Sequence, residues 1–433
     1  MNEQEKIPTG KVRRASKFVG TGAKVGINYL KHYIKGGSKE ELDRTNAEDI
    51  FNTLSELKGS ALKMAQILSM DQHVLPQAYT QKFVMAQYSA PPLSLPLVVK
   101  TFREAFGKSP FELFEDFSKN AINAASMGQV HSAVYKGKKV AVKIQYPGVA
   151  DSVVSDLNLV KPFATKLVGM KGADVDQYFD EVKERLLEET NYRLELERSV
   201  EMTKKLSDLE GVHFPGYYSE VSADKIIVMD WLDGKHLTEF LKTNPDQEVR
   251  NTLGQRLWDF YNCQINNLRA VHADPHPGNF LLNENGTLGV LDFGCVKEFG
   301  QDFYDSFFVL LLKDTTESNS TLEERLKKLD MIFDDDTESE RAFFMSNLKT
   351  SIELISEPFH NEVFDFGNKD FIQRIYEFGE AMSKAPELRK TKRARGPKDA
   401  LFINRTFFGL YNMLHELGAT VKINWDYHPS TPH

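Results

Sequence analysis

Cysteine is nearly absent from this chain. Cys263 and Cys295 are the only two in 433 residues. That excludes a disulfide framework and a thiolate zinc site, and a reducing compartment is the simplest inference. Long apolar runs are missing too. No stretch approaches the roughly eighteen consecutive hydrophobic residues that a spanning helix needs. The N-terminus lacks both the apolar core and the small-residue cleavage site of a signal peptide. The expectation is a cytoplasmic protein that can associate peripherally with a membrane. A positive net charge is also lacking: 54 Lys and Arg against 62 Asp and Glu leave −8, which argues against a general nucleic-acid binder. Internal repeats and low-complexity tracts are absent. What remains is 41% hydrophobic and 27% charged, the composition of a globular chain long enough for two or three domains.

Charge is spread unevenly. Residues 1–36 hold eight Lys or Arg against Glu3 and Glu5. Phe18, Val25, Leu30 and Tyr33 interleave there with Lys17, Lys24, Lys31 and Lys35. Such a segment can lie on an anionic membrane surface or dock on its own domain with a solvated basic face. A second basic run, RKTKRARGPK (Arg389 to Lys398), reads as an exposed loop. Residues 46–88 have helical spacing, with Asn46 as the expected N-cap. APPLSLP (Ala90 to Pro96) reads as a linker, and VVKTFREAF as a further helix.

The period then changes from helical to alternating. QVHSAVY and VAVKIQY are β-branched runs joined by a Gly-containing turn, a hairpin. Val140, Val142 and Ile144 share one face, so Lys143 points the other way. The preceding turn, NAASMGQ, is built of small residues. A long helix is expected over about Asp174 to Leu209, with Val175, Phe179, Val182 and Leu186 as its buried stripe. One heptad beyond Val182 stands Glu189, a carboxylate where an apolar residue belongs. A buried carboxylate needs a cation or donors. KIIVMDWLDG reads as a strand ending in a turn, and helical patterns dominate thereafter.

Residues 272–294, HADPHPGNFLLNENGTLGVLDFG, concentrate the polar chemistry. FLLN (Phe280 to Asn283) and TLGVLD (Thr287 to Asp292) flank Glu284-Asn285-Gly286, and Asn285-Gly286 between apolar runs is the strongest short-range hairpin signal. Folding the chain about that bond predicts Asn279 opposite Asp292 at the open end of the hairpin. Two oxygen donors so placed suit a hard divalent cation such as Mg²⁺. Asp274 lies just upstream, held out of helix by Pro275 and Pro277. A second Asp-Phe-Gly, Asp365 to Gly367, lacks an upstream Asp-x-x-x-x-Asn and a leading hairpin.

The order of parts is a small-residue turn, a strand Lys, a helix Glu, a strand and hinge, Asp-x-x-x-x-Asn, a hairpin and Asp-Phe-Gly. It is the part list of a kinase-like phosphotransfer site. In detail it resembles the UbiB/aarF-type atypical kinase-like family of coenzyme-Q biosynthesis. NAASMGQVH is similar to that family's alanine-rich loop, VAVKIQYPGV to its lysine strand and HADPHPGN to its catalytic loop. Glu189-Thr190-Asn191-Tyr192 with Glu195 resembles its Glu-x-Asp-Tyr motif. Lys63-Met64-Ala65-Gln66 resembles its Lys-x-Gly-Gln motif. Ala65 stands for the motif's Gly and Asn191 for its Asp.

The resemblance implies an α+β, two-lobed kinase-like fold with a helical N-terminal extension and a largely helical C-lobe. The expected parts are a basic segment at 1–45, the extension at 46–115, an N-lobe with a helical insertion at 116–230 and a C-lobe at 231–433. It implies an ATP (or ADP) and Mg²⁺ site. Asp274 would be the catalytic residue, with Asn279 and Asp292 holding the metal. Nucleotide contacts would come from Lys143, Glu195, Ala124, Ala125, Ser126, Met127, Gly128, Gln129, Asp230, Trp231 and Leu232. Lys63, Gln66, Glu189 and Asn191 would form the family's own motif, its Lys63/Gln66 face packed where other kinases bind peptide. The function implied is a Mg-dependent atypical kinase or ATPase of unknown acceptor, supporting isoprenoid-quinone or other membrane-lipid metabolism. The alternative is a nucleotide-binding scaffold without turnover. Expected partners are a nucleotide, an anionic membrane surface or lipid-pathway proteins, and a second copy in a homodimer.

Overall fold

The structure, a computed structural model, describes residues 11–35, 38–57, 59–64, 79, 82, 92–124, 127–168, 173–385, 387, 395–425 and 427–429. The chain divides into two compact units. One comprises residues 1–196 with 216–231, the other 197–215 with 232–433.

The first unit begins with helices α1 (Lys11–Lys35) and α2 (Lys39–Leu57). They pack through polar contacts. Thr21 meets Thr53 at 2.5 Å, and the Asn28 side-chain amide donates to Asn46 (3.0 Å) and Asp49 (2.9 Å). Asn46 is therefore not a helix cap. It lies inside α2, fully buried, because α1 covers it. Helix α3 (Leu95–Phe106) starts with Pro96 in its first turn, where a missing N–H costs nothing, and ends at Gly107 with φ 69°. It leads to an antiparallel sheet of β1 (Asp116–Phe117), β2 (Asn123–Ala124), β3 (Gly128–Tyr135), β4 (Lys138–Gln145) and β6 (Ile226–Asp230). The order is β1-β3-β4-β6, with β2 also on β3. Lys136 (φ 50°) and Gly137 (φ 71°) form a two-residue turn that matches the twist of β3 and β4. Val140, Val142 and Ile144 are fully buried, on the core face their alternation predicts.

After β4 come α4 (Val149–Val168), α5 (Ala173–Glu189) and α6 (Tyr192–Lys205). The single helix expected over 174–209 is thus two helices. Asn191 breaks it: its side-chain oxygen accepts from the Leu194 N–H (3.1 Å), an N-cap that starts α6. Phe179, Val182 and Leu186 form the buried stripe of α5, but the stripe does not run on to Leu196.

The second unit is mainly helical, around a core rich in aromatic rings that includes Trp258, Phe260, Tyr261, Tyr304 and Tyr411. Its long helices are α7 (Gln247–Cys263), α8 (Glu338–Ser356), α9 (Lys369–Lys384) and α10 (Lys398–Leu417). Small sheets pin the loops: β5 (Val212–His213) with β9 (Leu288–Val290) and β8 (Phe280–Leu282), and β7 (Ala270–His272) with β10 (Val296–Glu298). A last pair joins β11 (Val363–Asp365) to β12 (Thr420–Lys422).

The basic run expected as an exposed loop is not uniformly exposed. Residues 388–394 lie outside the described residues, but the Arg395 side chain is only 10% exposed. Its guanidinium pairs with Asp336 at 2.6 Å and stacks on the Phe344 ring (3.7 Å), so a charge with two compensating partners has left water. Cys263 and Cys295 are both free thiols. Among the described residues, no helix is long and apolar enough to cross a membrane.

Candidate functional site

In the first unit, Lys143 occupies the β4 face opposite Val142 and Ile144. Its ammonium meets Glu195 of α6 at 2.5 Å, with side-chain exposures of 22% and 7%. The Tyr192 ring lies 5.1 Å from the same ammonium. Neither charge of this largely buried pair is well solvated, so each depends on the other. The carboxylate out of place on the stripe, Glu189, ends α5 and pairs with Lys63 at 2.9 Å, both largely buried. A second buried carboxylate, Asp156 of α4, accepts from the Ser60 hydroxyl, which also meets Ser152 at 3.0 Å. Ser60 is one turn before Lys63, so Asp156 anchors the segment that carries that lysine. Sequence reasoning missed it because nothing local marks its partner.

Ala124, at the start of the small-residue stretch, pairs with Gln129 in the β2–β3 register. Ala125 and Ser126, like Gln66 and Ala65, lie outside the described residues. The Met127 side chain is buried in the core of this unit. The Gln129 side chain also turns inward, accepting from the Leu93 N–H (2.6 Å) and meeting His131 Nε2 (2.8 Å). Asn191 is exposed and acts as the α6 cap. At the end of β6, the N–H groups of Asp230 and Trp231 are already committed, to Gly216 O (2.8 Å) and Lys139 O (3.2 Å). The Asp230 carboxylate accepts from Tyr218 Oη at 2.7 Å, and this bond pushes the tyrosine up to about 12. The Lys139 ammonium sits 3.9 Å over the Trp231 ring, a contact the sequence did not announce.

In the second unit, α7 runs into a π turn, Gln264–Leu268, before β7. Gln264 is fully buried and bridges the two elements. It donates to Phe260 O (2.9 Å) and accepts from the His272 N–H (2.9 Å). His272 Nε2 in turn donates to the Asp292 carbonyl at 2.6 Å. The β7 strand that leads to Asp274 is thus tied to both a helix and the Asp-Phe-Gly segment. Asp274 follows, and the Asn279 amide nitrogen donates to its carbonyl (3.0 Å) and reaches its carboxylate at 3.4 Å. Proline at 277 opens a short 3₁₀ turn ending at Asn279. Burial pushes the Tyr261 hydroxyl far above the ordinary phenol range, and the nearby Asp274 adds to this.

The hairpin register differs by one from the sequence expectation. Phe280 pairs with Val290 and Leu282 with Leu288, so Asn279 faces Leu291, not Asp292. The Leu291 N–H donates to Asn279 O at 3.0 Å. The loop has three residues, Glu284 to Gly286, and only Gly286 is left-handed (φ 82°). Such a loop moves the axis from the 285–286 bond onto Asn285. Asp292 follows the strand, its carboxylate accepting from the Gly294 N–H at 2.5 Å. With the Asn279 nitrogen committed, its oxygen is the atom that can serve a cation. An amide and a carboxylate oxygen are the donor chemistry Mg²⁺ takes. At the second Asp-Phe-Gly, Asp365 accepts from the Gly367 N–H (2.8 Å), but it sits on the β11–β12 ribbon.

A strand lysine salt-bridged to a helix glutamate, and an Asp-x-x-x-x-Asn loop leading through a hairpin to Asp-Phe-Gly, define a two-lobed kinase-like α+β protein. Residues 85–325, more than half of the chain, match the ABC1 atypical kinase-like domain, and the chain belongs to that family. The mitochondrial atypical kinase COQ8B of Danio rerio is 27% identical over 96% of this chain and 68% of its own length. The mitochondrial atypical kinase COQ8 of Saccharomyces cerevisiae is 27% identical over 96% and 83%. Among solved structures, Rv3197 of Mycobacterium tuberculosis, determined with erythromycin, is 27% identical with a TM-score of 0.59. The match covers 88% of this chain and 95% of that one.

Proposed function

We propose that this protein is a Mg-dependent, ATP-binding atypical kinase or ATPase. The observation that carries the reading is the Lys143–Glu195 pair at 2.5 Å. Two largely buried charges placed by a strand and a helix cost more than an apolar pair would, and their use is to hold an ammonium ready for phosphate oxygens. In this reading Lys143 binds the α and β phosphates and Glu195 fixes its stem. The backbone of residues 124–129 approaches the phosphates where side chains are small. Adenine is met at 230–232 by carbonyl groups and the Leu232 N–H, since the two preceding amides are committed. Asn279 and Asp292 would hold Mg²⁺, which when bound neutralises charge on the phosphate oxygens. Asp274, oriented through Asn279, takes the proton of the attacking nucleophile, water or an acceptor hydroxyl.

The names of the COQ8 relatives support a role in isoprenoid-quinone or other membrane-lipid metabolism. Helix α1 supports a peripheral membrane contact: Val19, Ile27, Tyr29 and Tyr33 are exposed beside Lys17, Lys24 and Lys31. The test is Mg-dependent binding of a fluorescent ATP analogue. Asp292→Asn should weaken binding by removing charge from the metal donors, while Asp274→Asn should leave it near wild type. Equal binding by wild type and Asp292→Asn would overturn the metal assignment.

A further inference from the structure

Tyr192 is almost completely buried, at 1% exposure, although it is the first residue of its helix. Its place is fixed from both sides. Asn191 caps the helix in front of it, and Thr190 O accepts from the Gln145 side-chain amide at 2.8 Å. Gln145 is the register partner of Gly128. The ring lies 5.1 Å from the Lys143 ammonium, while the hydroxyl reaches the other neighbour. A Cβ on residue 128 would stand 2.7 Å from Tyr192 Oη and 2.7 Å from Ile144 O. Gly128 is the first residue of β3, directly after the small-residue turn. One side chain therefore touches both parts expected to hold phosphate, the lysine and the base of the turn.

We propose that Tyr192 is a positioning residue that sets the Lys143 ammonium and Gly128, at the start of β3, in one fixed relation. The inference rests on the nucleotide-site reading above. The aromatic face holds the ammonium from below while Glu195 holds it from the side. The hydroxyl takes the space a side chain at 128 would fill, so the glycine and the tyrosine are complementary. A ring that merely filled core would, when truncated in a protein that still folds, lower the melting temperature and leave nucleotide affinity unchanged. Truncation of a positioning ring would weaken the affinity as well.

The experiment compares wild type, Tyr192→Phe, Tyr192→Leu, Gly128→Ala and the Gly128→Ala/Tyr192→Phe double variant. It reads Mg-dependent binding of a fluorescent ATP analogue, amide hydrogen exchange over residues 122–130 and thermal melting. Tyr192→Leu should weaken binding by about tenfold, the scale of a desolvated cation–ring contact, and speed exchange in the turn. Tyr192→Phe should stay within a few-fold of wild type, roughly the loss of one polar contact. Gly128→Ala should bind poorly, and removing the hydroxyl in the double variant should recover part of the loss. Recovery stays partial because Ile144 O still crowds the methyl. Wild-type exchange and binding in a folded Tyr192→Leu, or no recovery in the double variant, would overturn the proposal. If wild type binds no nucleotide, the nucleotide reading fails, and the exchange data alone decide whether Tyr192 orders the turn. Should Tyr192→Leu not fold, the Gly128 pair carries the same decision.

Discussion

At the scale of single residues, the first unit is governed by charged and imidazole side chains that have left water for partners within the fold. Glu195 is 6% exposed, and Lys143 is its cation. Removing the ammonium strands a buried carboxylate, so Lys143→Ala should destabilise the protein by about 3–5 kcal/mol as well as weaken nucleotide binding. Urea titration of the wild type and variant measures the first effect. His131 behaves in the opposite sense. It is buried beside Gln129, Ser118 and the Phe117 ring, and burial lowers its basicity below the ordinary histidine value. A histidine kept neutral by burial stabilises the fold fully above the unfolded value of about 6.5. That contribution is lost as pH falls from there toward the folded value, because the unfolded chain binds the proton first. Thermal melting should therefore drop between pH 7 and pH 5 more in wild type than in His131→Phe.

At the scale of elements, placement depends on close approaches that a pattern of apolar residues does not record. Helix α10 meets the catalytic loop at Gly409, where a Cβ would stand 2.3 Å from Pro275. Gly409→Val should push the loop that carries Asp274, costing about 1–3 kcal/mol in stability as an overpacked contact. Turnover should fall more than nucleotide binding, which steady-state kinetics beside binding titrations would separate. Much of the rest was legible beforehand. Alternation in VAVKIQY fixed which face Lys143 takes, and Glu189 on an apolar stripe announced a cation that is Lys63. The failures share a cause. Asn285-Gly286 suggested an axis on the bond between them, but the three-residue loop centres on Asn285 and shifts Asn279 by one partner. Asn191 looked like a weakened acidic motif, yet a cap role uses Asn as readily as Asp. Gln264, Asp156 and Arg395 owe their importance to partners far along the chain, which spacing cannot show.

At the scale of the whole molecule, membership of an atypical kinase-like family joins the constellation proposed to handle phosphate to a chain that carries an amphipathic basic helix. Association with anionic liposomes should be reversible and should weaken as salt screens the lysines. Flotation equal for the full chain and a chain beginning at Ala47, or insensitive to salt, would contradict the membrane reading. The central claim is turnover, and phosphate release tests it most directly. The wild type and Asp274→Asn would be compared with Mg²⁺, ATP and anionic liposomes together. The account predicts release above background in wild type and a fall of roughly 10²–10⁴-fold in the variant, the contribution of a positioned acid/base. Release at background in both proteins, with nucleotide still bound, would contradict it and leave a nucleotide-binding scaffold.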